Sequence, residues 1–224
     1  ILPGITHWQH PSFFAYFPAN SSPPSVLAEM LTSTLGAQCM LWQTSPAATE
    51  METRLTDWLR RMTHLPSGLH GVIQDSASSA TLCALLTARE RATDWQSNKN
   101  GMTALSANLM VYTSEEAHSS TEKGAKIAGF GKDNVRLIST DENFSMCPKA
   151  LKTAIINDLT DGHIPTCVVA SMGTTGVGAV DPLKDVGDIC KQYNLFFHVD
   201  AAWAGSALIL PEENWMAEGI EMAD

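Results

Sequence analysis

The sequence is poor in basic residues. Its 14 lysines and arginines face 24 aspartates and glutamates, a net charge of −10. No basic patch that could neutralise a run of phosphates is visible, so no nucleic-acid partner is expected. Long apolar runs are also missing. The longest, residues 195–210, is too short to span a bilayer and carries His198 and Asp200, so no membrane partner is expected. The opening "ILPGITHWQHP" lacks the basic start and unbroken apolar stretch of a secretory signal. It also lacks an initiating methionine, and the chain is expected to be a piece of a longer one. The five cysteines are scattered, with no CxxC pair. A disulfide framework or a zinc site is therefore not expected, and reduced thiols in a cytoplasmic protein fit better. Neither GxGxxG nor GxxxxGK[ST] occurs, so the dinucleotide and P-loop readings lack their fingerprints.

What remains is rich in apolar residues, 44% of the chain, enough for one large core or two smaller ones. "SVLAEMLTSTLG" places Val26, Leu27, Met30, Leu31 and Leu35 on one helical face, with prolines before it and Gly36 after it. "PAATEMETRLTDWLRRMTHL" does the same with Met51, Leu55, Trp58, Leu59 and Met62. From "GVIQ" onward the rhythm changes. Short apolar runs at 71–74, 108–114, 134–139, 166–173 and 195–200 read as strands. Helices are expected from about 77 to 95 and over 115–129, 147–161 and 182–193. Residues 19–25, 64–70 and 97–101 read as linkers. Alternating strands and helices predict an α/β unit with a mostly parallel sheet, whose ligands sit beyond the carboxyl ends of the strands.

The strand ends carry the chemistry. After "GVIQ", the stretch "DSASSAT" opens a helix with free N–H groups, either an anion site or an ordinary cap. "EEAHSS" places His118 at the next junction, as a structural group or a ring to stack on another ring. "TTGVGAVDP" offers Thr174 and Thr175 in a glycine-rich turn, and Asp181 before Pro182 reads as a helix cap. "LFFHVDAAWAGS" closes an apolar strand with Asp200 and follows it with alanines. A carboxylate there is costly unless a cation or strong donors meet it. No matching set of metal ligands can be assembled. Together the four ends offer a phosphate cradle, an imidazole, a hydroxyl and a carboxylate. This is the combination that pyridoxal phosphate needs, with its anionic phosphate, flat ring and pyridinium nitrogen.

"PGITHWQHPSFFAYFPANSS", "GVIQDSASSAT", "EEAHSS", "MGTTGVGAVDP" and "HVDAAWAGS" occur in one order, and with them the whole chain resembles the group II pyridoxal-phosphate decarboxylases, most closely those acting on aromatic L-amino acids. The resemblance implies an aspartate-aminotransferase-type large domain (fold type I), present as a partial chain, and a homodimer with a shared active site. Residues 1–65 would supply substrate-pocket and interface helices, and 66–224 the cofactor domain. It implies pyridoxal 5'-phosphate held by Ala77 and Ser78 at the phosphate, His118 stacked on the ring, Thr175 beside it, Asp200 on the ring nitrogen and Ala202 against the ring. His118 and Asp200 would be catalytic. Trp8, Tyr16, Phe17, Pro18, Ala19, Gln38 and Met40 would meet an aromatic substrate: tryptophan, tyrosine, phenylalanine or dihydroxyphenylalanine. The activity implied is decarboxylation to the amine, or an aldehyde-forming variant of it. The family's Schiff-base lysine is expected in an Asn-x-His-Lys stretch beyond "GIEMAD". None of the eight lysines of this sequence stands at a strand end, and none is nominated for that role.

Overall fold

The alternating rhythm of residues 108–200 folds as expected. In a computed structural model of the chain, which describes residues 1–17 and 21–224, four strands form one sheet. They are β1 (Leu109–Ser114), β2 (Val135–Ile138), β3 (Ile164–Ser171) and β4 (Phe196–Asp200). Their order is β2-β1-β3-β4, all parallel. Helices α3 (Ala77–Ala92) and α5 (Ser120–Ile127) belong to one face of the sheet; α6 (Pro148–Thr160) and α7 (Leu183–Tyr193) belong to the other.

Period-two alternation divides the strands between two cores. Leu109, Val111, Cys167, Val169 and Phe196 pack with Leu85, Ala88 and Ala125. Met110, Tyr112, Val168, Ala170 and Phe197 pack with Leu151, Ile155, Val186 and Cys190. Within the second core Tyr112 donates its hydroxyl to Asp158 Oδ2 at 2.8 Å, and Arg136 Nη2 donates to Asp158 Oδ1 at 2.6 Å. Asp158 is buried, so this pairing of β1, β2 and α6 is what makes its charge tolerable there.

Several local expectations give way. Residues 71–74 form no strand, and Val72 and Ile73 are exposed. They line an apolar cavity of about 560 Å³ along β4 instead, with Leu59, Phe197 and Val199. Helix α3 stops at Ala92 because Asp94 and Trp95 adopt positive φ. Residues 115–119 form a turn, with Ser114 Oγ accepting the N–H of Glu116. The expected linker 97–101 holds a short helix, α4 (Gln96–Asn100).

Glu90 explains why a polar stretch orders there. Its buried carboxylate accepts Ser97 Oγ at 2.8 Å, the N–H of Asn98 at 3.1 Å and Arg89 Nε at 3.0 Å. Burial acts to raise its pKa, but the bonds from Arg89, Ser97 and Asn98 outweigh burial and hold it below the ordinary 4.5. A depressed folded pKa stabilises above the unfolded value and is lost as pH falls through the folded one. We expect Glu90→Gln to lose roughly 1–3 kcal/mol at neutral pH. Thermal melts of the two proteins should converge below about pH 4.5; a gap that stays constant down to pH 3 would sink this account.

The chain divides into two units, Ile1–Glu52 and Thr53–Asp224. The first holds α1 (Pro23–Leu35), closed by a Ser22–Ser25 capping box and by Gly36 in the left-handed region at φ +57°. It also holds the start of α2 (Pro46–Met62), which runs into the second unit. Neither helix has a buried residue. The apolar stripes expected on both are present and exposed. No described helix is long and apolar enough to cross a membrane.

Candidate functional site

Three parallel neighbours, β1, β3 and β4, end on the same edge of the sheet, with Ser171 level with Asp200 in the pairing register. The site residues of the second unit are built on this edge. Phe196, His198 and Asp200 alternate onto one face of β4, and Phe196 shows it to be the face covered by α3 and α5. The second turn of α3 reaches the same place, because Thr81 Oγ1 lies 3.4 Å from His198 Nε2. Ser76 caps α3 by accepting the N–H of Ser79 at 3.3 Å. That cap leaves the N–H groups of Ala77 and Ser78, at the positive end of the helix dipole, without intrahelical acceptors. Both residues are exposed.

His118 stands at the entry to α5, exposed, as the strand end required. Its Nδ1 receives the N–H of Ser120 at 3.2 Å and faces the Ser120 hydroxyl at 2.8 Å. An accepting Nδ1 puts the proton of the neutral ring on Nε2, so Nε2–H is the group His118 offers outward. Ser120, buried and orienting this ring, was not singled out in the sequence; its place two residues after a histidine was the available signal.

After β3 the chain turns tightly. Thr174 is buried, and its Oγ1 accepts the N–H of Ala179 at 3.0 Å, which leaves Thr175 as the exposed hydroxyl. Asp181 does not cap α7, as expected for an aspartate before proline; the cap position falls on Pro182, with no side-chain cap bond. The buried Asp181 carboxylate accepts the N–H groups of Ser171 and Met146, both at 2.7 Å, so it fixes the end of β3. Burial pushes its pKa up against those two bonds.

Asp200 is partly buried. Its Oδ1 accepts the N–H of Ala202 at 3.1 Å, and no cation among the described residues pairs with it. The alanine turn beyond it exposes Ala202. His198 escaped the sequence reading as a site residue, although its place two positions before Asp200 in a strand was the signal. Burial lowers its pKa, against the pull of Asp200. No described cluster of His, Cys, Asp and Glu would hold a metal ion.

In the first unit Trp8 stacks with Phe13 and with Tyr16, with ring centroids 5.1 Å and 5.6 Å away. Tyr16 reaches the stack with φ at +58°. Phe13 joins these rings without having been singled out. Phe17 is exposed, and so are Gln38 and Met40; the Gln38 carbonyl accepts Thr44 Oγ1 at 2.8 Å. Pro18 and Ala19 lie outside the described residues.

Fold and site thus define a parallel α/β domain that carries a helix end with free N–H groups, an imidazole, a hydroxyl and a carboxylate at the ends of its strands. The model of the "Pyridoxal-dependent decarboxylase conserved domain" matches residues 1–224, and the chain belongs to that family. It is 44% identical to aromatic-L-amino-acid decarboxylase of Mus musculus, over 100% of this chain and 48% of the relative. The crystal structure of 4-hydroxyphenylacetaldehyde synthase from Rhodiola rosea superposes with a TM-score of 0.93 at 40% identity, covering 100% of this chain and 49% of that one. That of Oryza sativa TDC with PLP and tryptamine gives 0.91 at 37%, with 100% and 49% covered. The chain therefore spans about half the length of the relatives it matches.

Proposed function

We propose that this chain is the cofactor-binding half of a pyridoxal-phosphate-dependent enzyme that decarboxylates an aromatic L-amino acid to its amine. One observation carries the reading: the Asp200 carboxylate closes β4 with no cation among the described residues to meet it, on the strand whose His198 meets Thr81 of α3. The residues fit the cofactor. Ala77 and Ser78 hold its phosphate through their N–H groups. Asp200 keeps a proton on the ring nitrogen through a charge-assisted bond. His118 lays its ring on the cofactor's face, with Ser120 holding its plane. Thr175 stands beside the ring, and Ala202 is small enough to let the ring lie close. Once bound, pyridoxal phosphate supplies the electron sink for the pair left behind when the substrate's carboxylate departs as carbon dioxide. The chain's own work is to bind, to orient and to hold that one proton.

The rest of the reading follows the same division of roles, with residues 1–65 for substrate and partner and 66–224 for the cofactor. The stack around Trp8, with Phe17, Pro18, Ala19, Gln38 and Met40, receives the aromatic side chain. Tryptophan, tyrosine, phenylalanine and dihydroxyphenylalanine are the candidates. A second copy of the chain covers the exposed stripes of α1 and α2, because Val26, Leu27, Met30, Leu31, Met51, Leu55 and Trp58 make an apolar surface that water disfavours. The exposed thiols of Cys39 and Cys83 suit the reducing cytoplasm. The likeness to an aldehyde synthase supports a second reading, in which oxygen intercepts the reaction.

The test uses purified full-length protein loaded with pyridoxal phosphate and offered each of the four amino acids. Carbon dioxide and amine in equal amounts, from a species that sediments as a dimer, are expected. Aldehyde with hydrogen peroxide would select the second reading. No carbon dioxide from any of the four would defeat both, and a monomer at micromolar concentration would defeat the shared site.

A further inference from the structure

The cofactor just assigned has two anchors, and they stand on different elements. The phosphate end belongs to α3 and the ring-nitrogen end to β4, so the span between helix and strand must match a molecule of fixed length. Thr81 is one helical turn beyond Ala77 on the same face of α3. His198 is one strand repeat before Asp200 on the same face of β4. These two meet, Thr81 Oγ1 to His198 Nε2 at 3.4 Å, with Thr81 1% exposed. At its far end α3 is tied to β4 again, with the Arg91 guanidinium 5.5 Å from the centre of the Phe196 ring. The helix therefore runs antiparallel to the strand, with a polar tie at the anchor end and a cation–π contact at the other.

We infer that Thr81 and His198 form a positioning pair that sets the distance between the phosphate-holding end of α3 and the Asp200 carboxylate, and so the fit of a ligand that must bridge both. This rests on the cofactor reading above. Threonine suits the task because its short side chain carries a hydroxyl that can donate or accept at this distance. A neutral imidazole suits it as well, since Nε2 can take either part in the bond while Thr81 takes the other. Burial keeps His198 neutral at ordinary pH. Neither residue needs to touch the reacting atoms.

The test compares two probes on the full-length apoprotein, pyridoxal phosphate and pyridoxal, which share a ring and differ in the phosphate. Affinities are read from quenching of protein fluorescence, with thermal melts of each apoprotein as a control. Thr81→Val should weaken pyridoxal phosphate about three- to tenfold, the worth of one net hydrogen bond, and leave pyridoxal within about twofold. Thr81→Ser, which keeps the hydroxyl, should stay near wild type. His198→Met should reproduce the loss by the second route, and His198→Gln, with a nitrogen at similar reach, should recover most of it. Equal losses for the two probes, or equal behaviour of Thr81→Val and Thr81→Ser, would overturn the inference while leaving the cofactor reading intact. Wild-type apoprotein that binds neither probe would overturn both.

Discussion

Asp200→Asn in the full-length protein should fold normally and lose activity by on the order of a thousandfold, about 4 kcal/mol in the barrier. Among the described residues the side chain accepts one bond, from the N–H of Ala202, and an amide oxygen accepts that bond equally well, so folding loses little. The ring-nitrogen partner loses its charge. An amide cannot hold a proton on a pyridine nitrogen, and without that proton the electron sink is shallow. Affinity for pyridoxal phosphate should fall much less than turnover, because the phosphate contacts proposed for Ala77 and Ser78 would remain. The measurements are carbon dioxide release at saturating cofactor and a thermal melt of the same sample. Near-normal turnover in Asp200→Asn would remove the carboxylate from the chemistry and with it the observation on which the cofactor reading stands.

The end of β4 at Asp200 was legible because its setting is local: an apolar strand that ends in a carboxylate and then turns small. The same holds for the sheet. Its long buried runs at β1 and β3 have one reading, and in the fold alternation divides their side chains between two cores. "GVIQ" has the same apolar character, but a strand exists only where it lies in register against another strand, and four residues carry no information about that. Asp181 failed for a related reason. Aspartate before proline is a good cap in local terms, yet the donors that claimed it lie 10 and 35 residues away in sequence. His198 was within reach, since strand periodicity alone puts it on the face of Asp200. Its partner Thr81, 117 residues distant, was not.

Gly173→Ala should prove the most damaging of the conservative changes near the site, and nothing local in "MGTTGVGAVDP" says so. The residue sits at φ +85°, where an L side chain costs about 1–2 kcal/mol. A Cβ there would also run into the Trp203 ring and come within 2.7 Å of the Ala204 Cβ. Overpacking of that kind costs a further 1–3 kcal/mol or so. The N–H groups of Gly173 and Thr174 both donate to the Ala179 carbonyl, at 3.1 and 2.8 Å, so the loop that presents Thr175 cannot shift without breaking them. Trp203 in turn belongs to the turn just beyond Asp200, so the change disturbs two strand ends at once. We expect Gly173→Ala to lower the melting temperature by about 4–20 °C and to weaken pyridoxal phosphate binding in the full-length protein. Gly176→Ala in the same loop is the control: its Cβ would meet only Glu116 Oε2, at 3.8 Å. It should stay within about 0.5 kcal/mol of wild type. If the two substitutions melt alike, the Trp203 contact does not hold this loop, and the placement of Thr175 must be explained some other way.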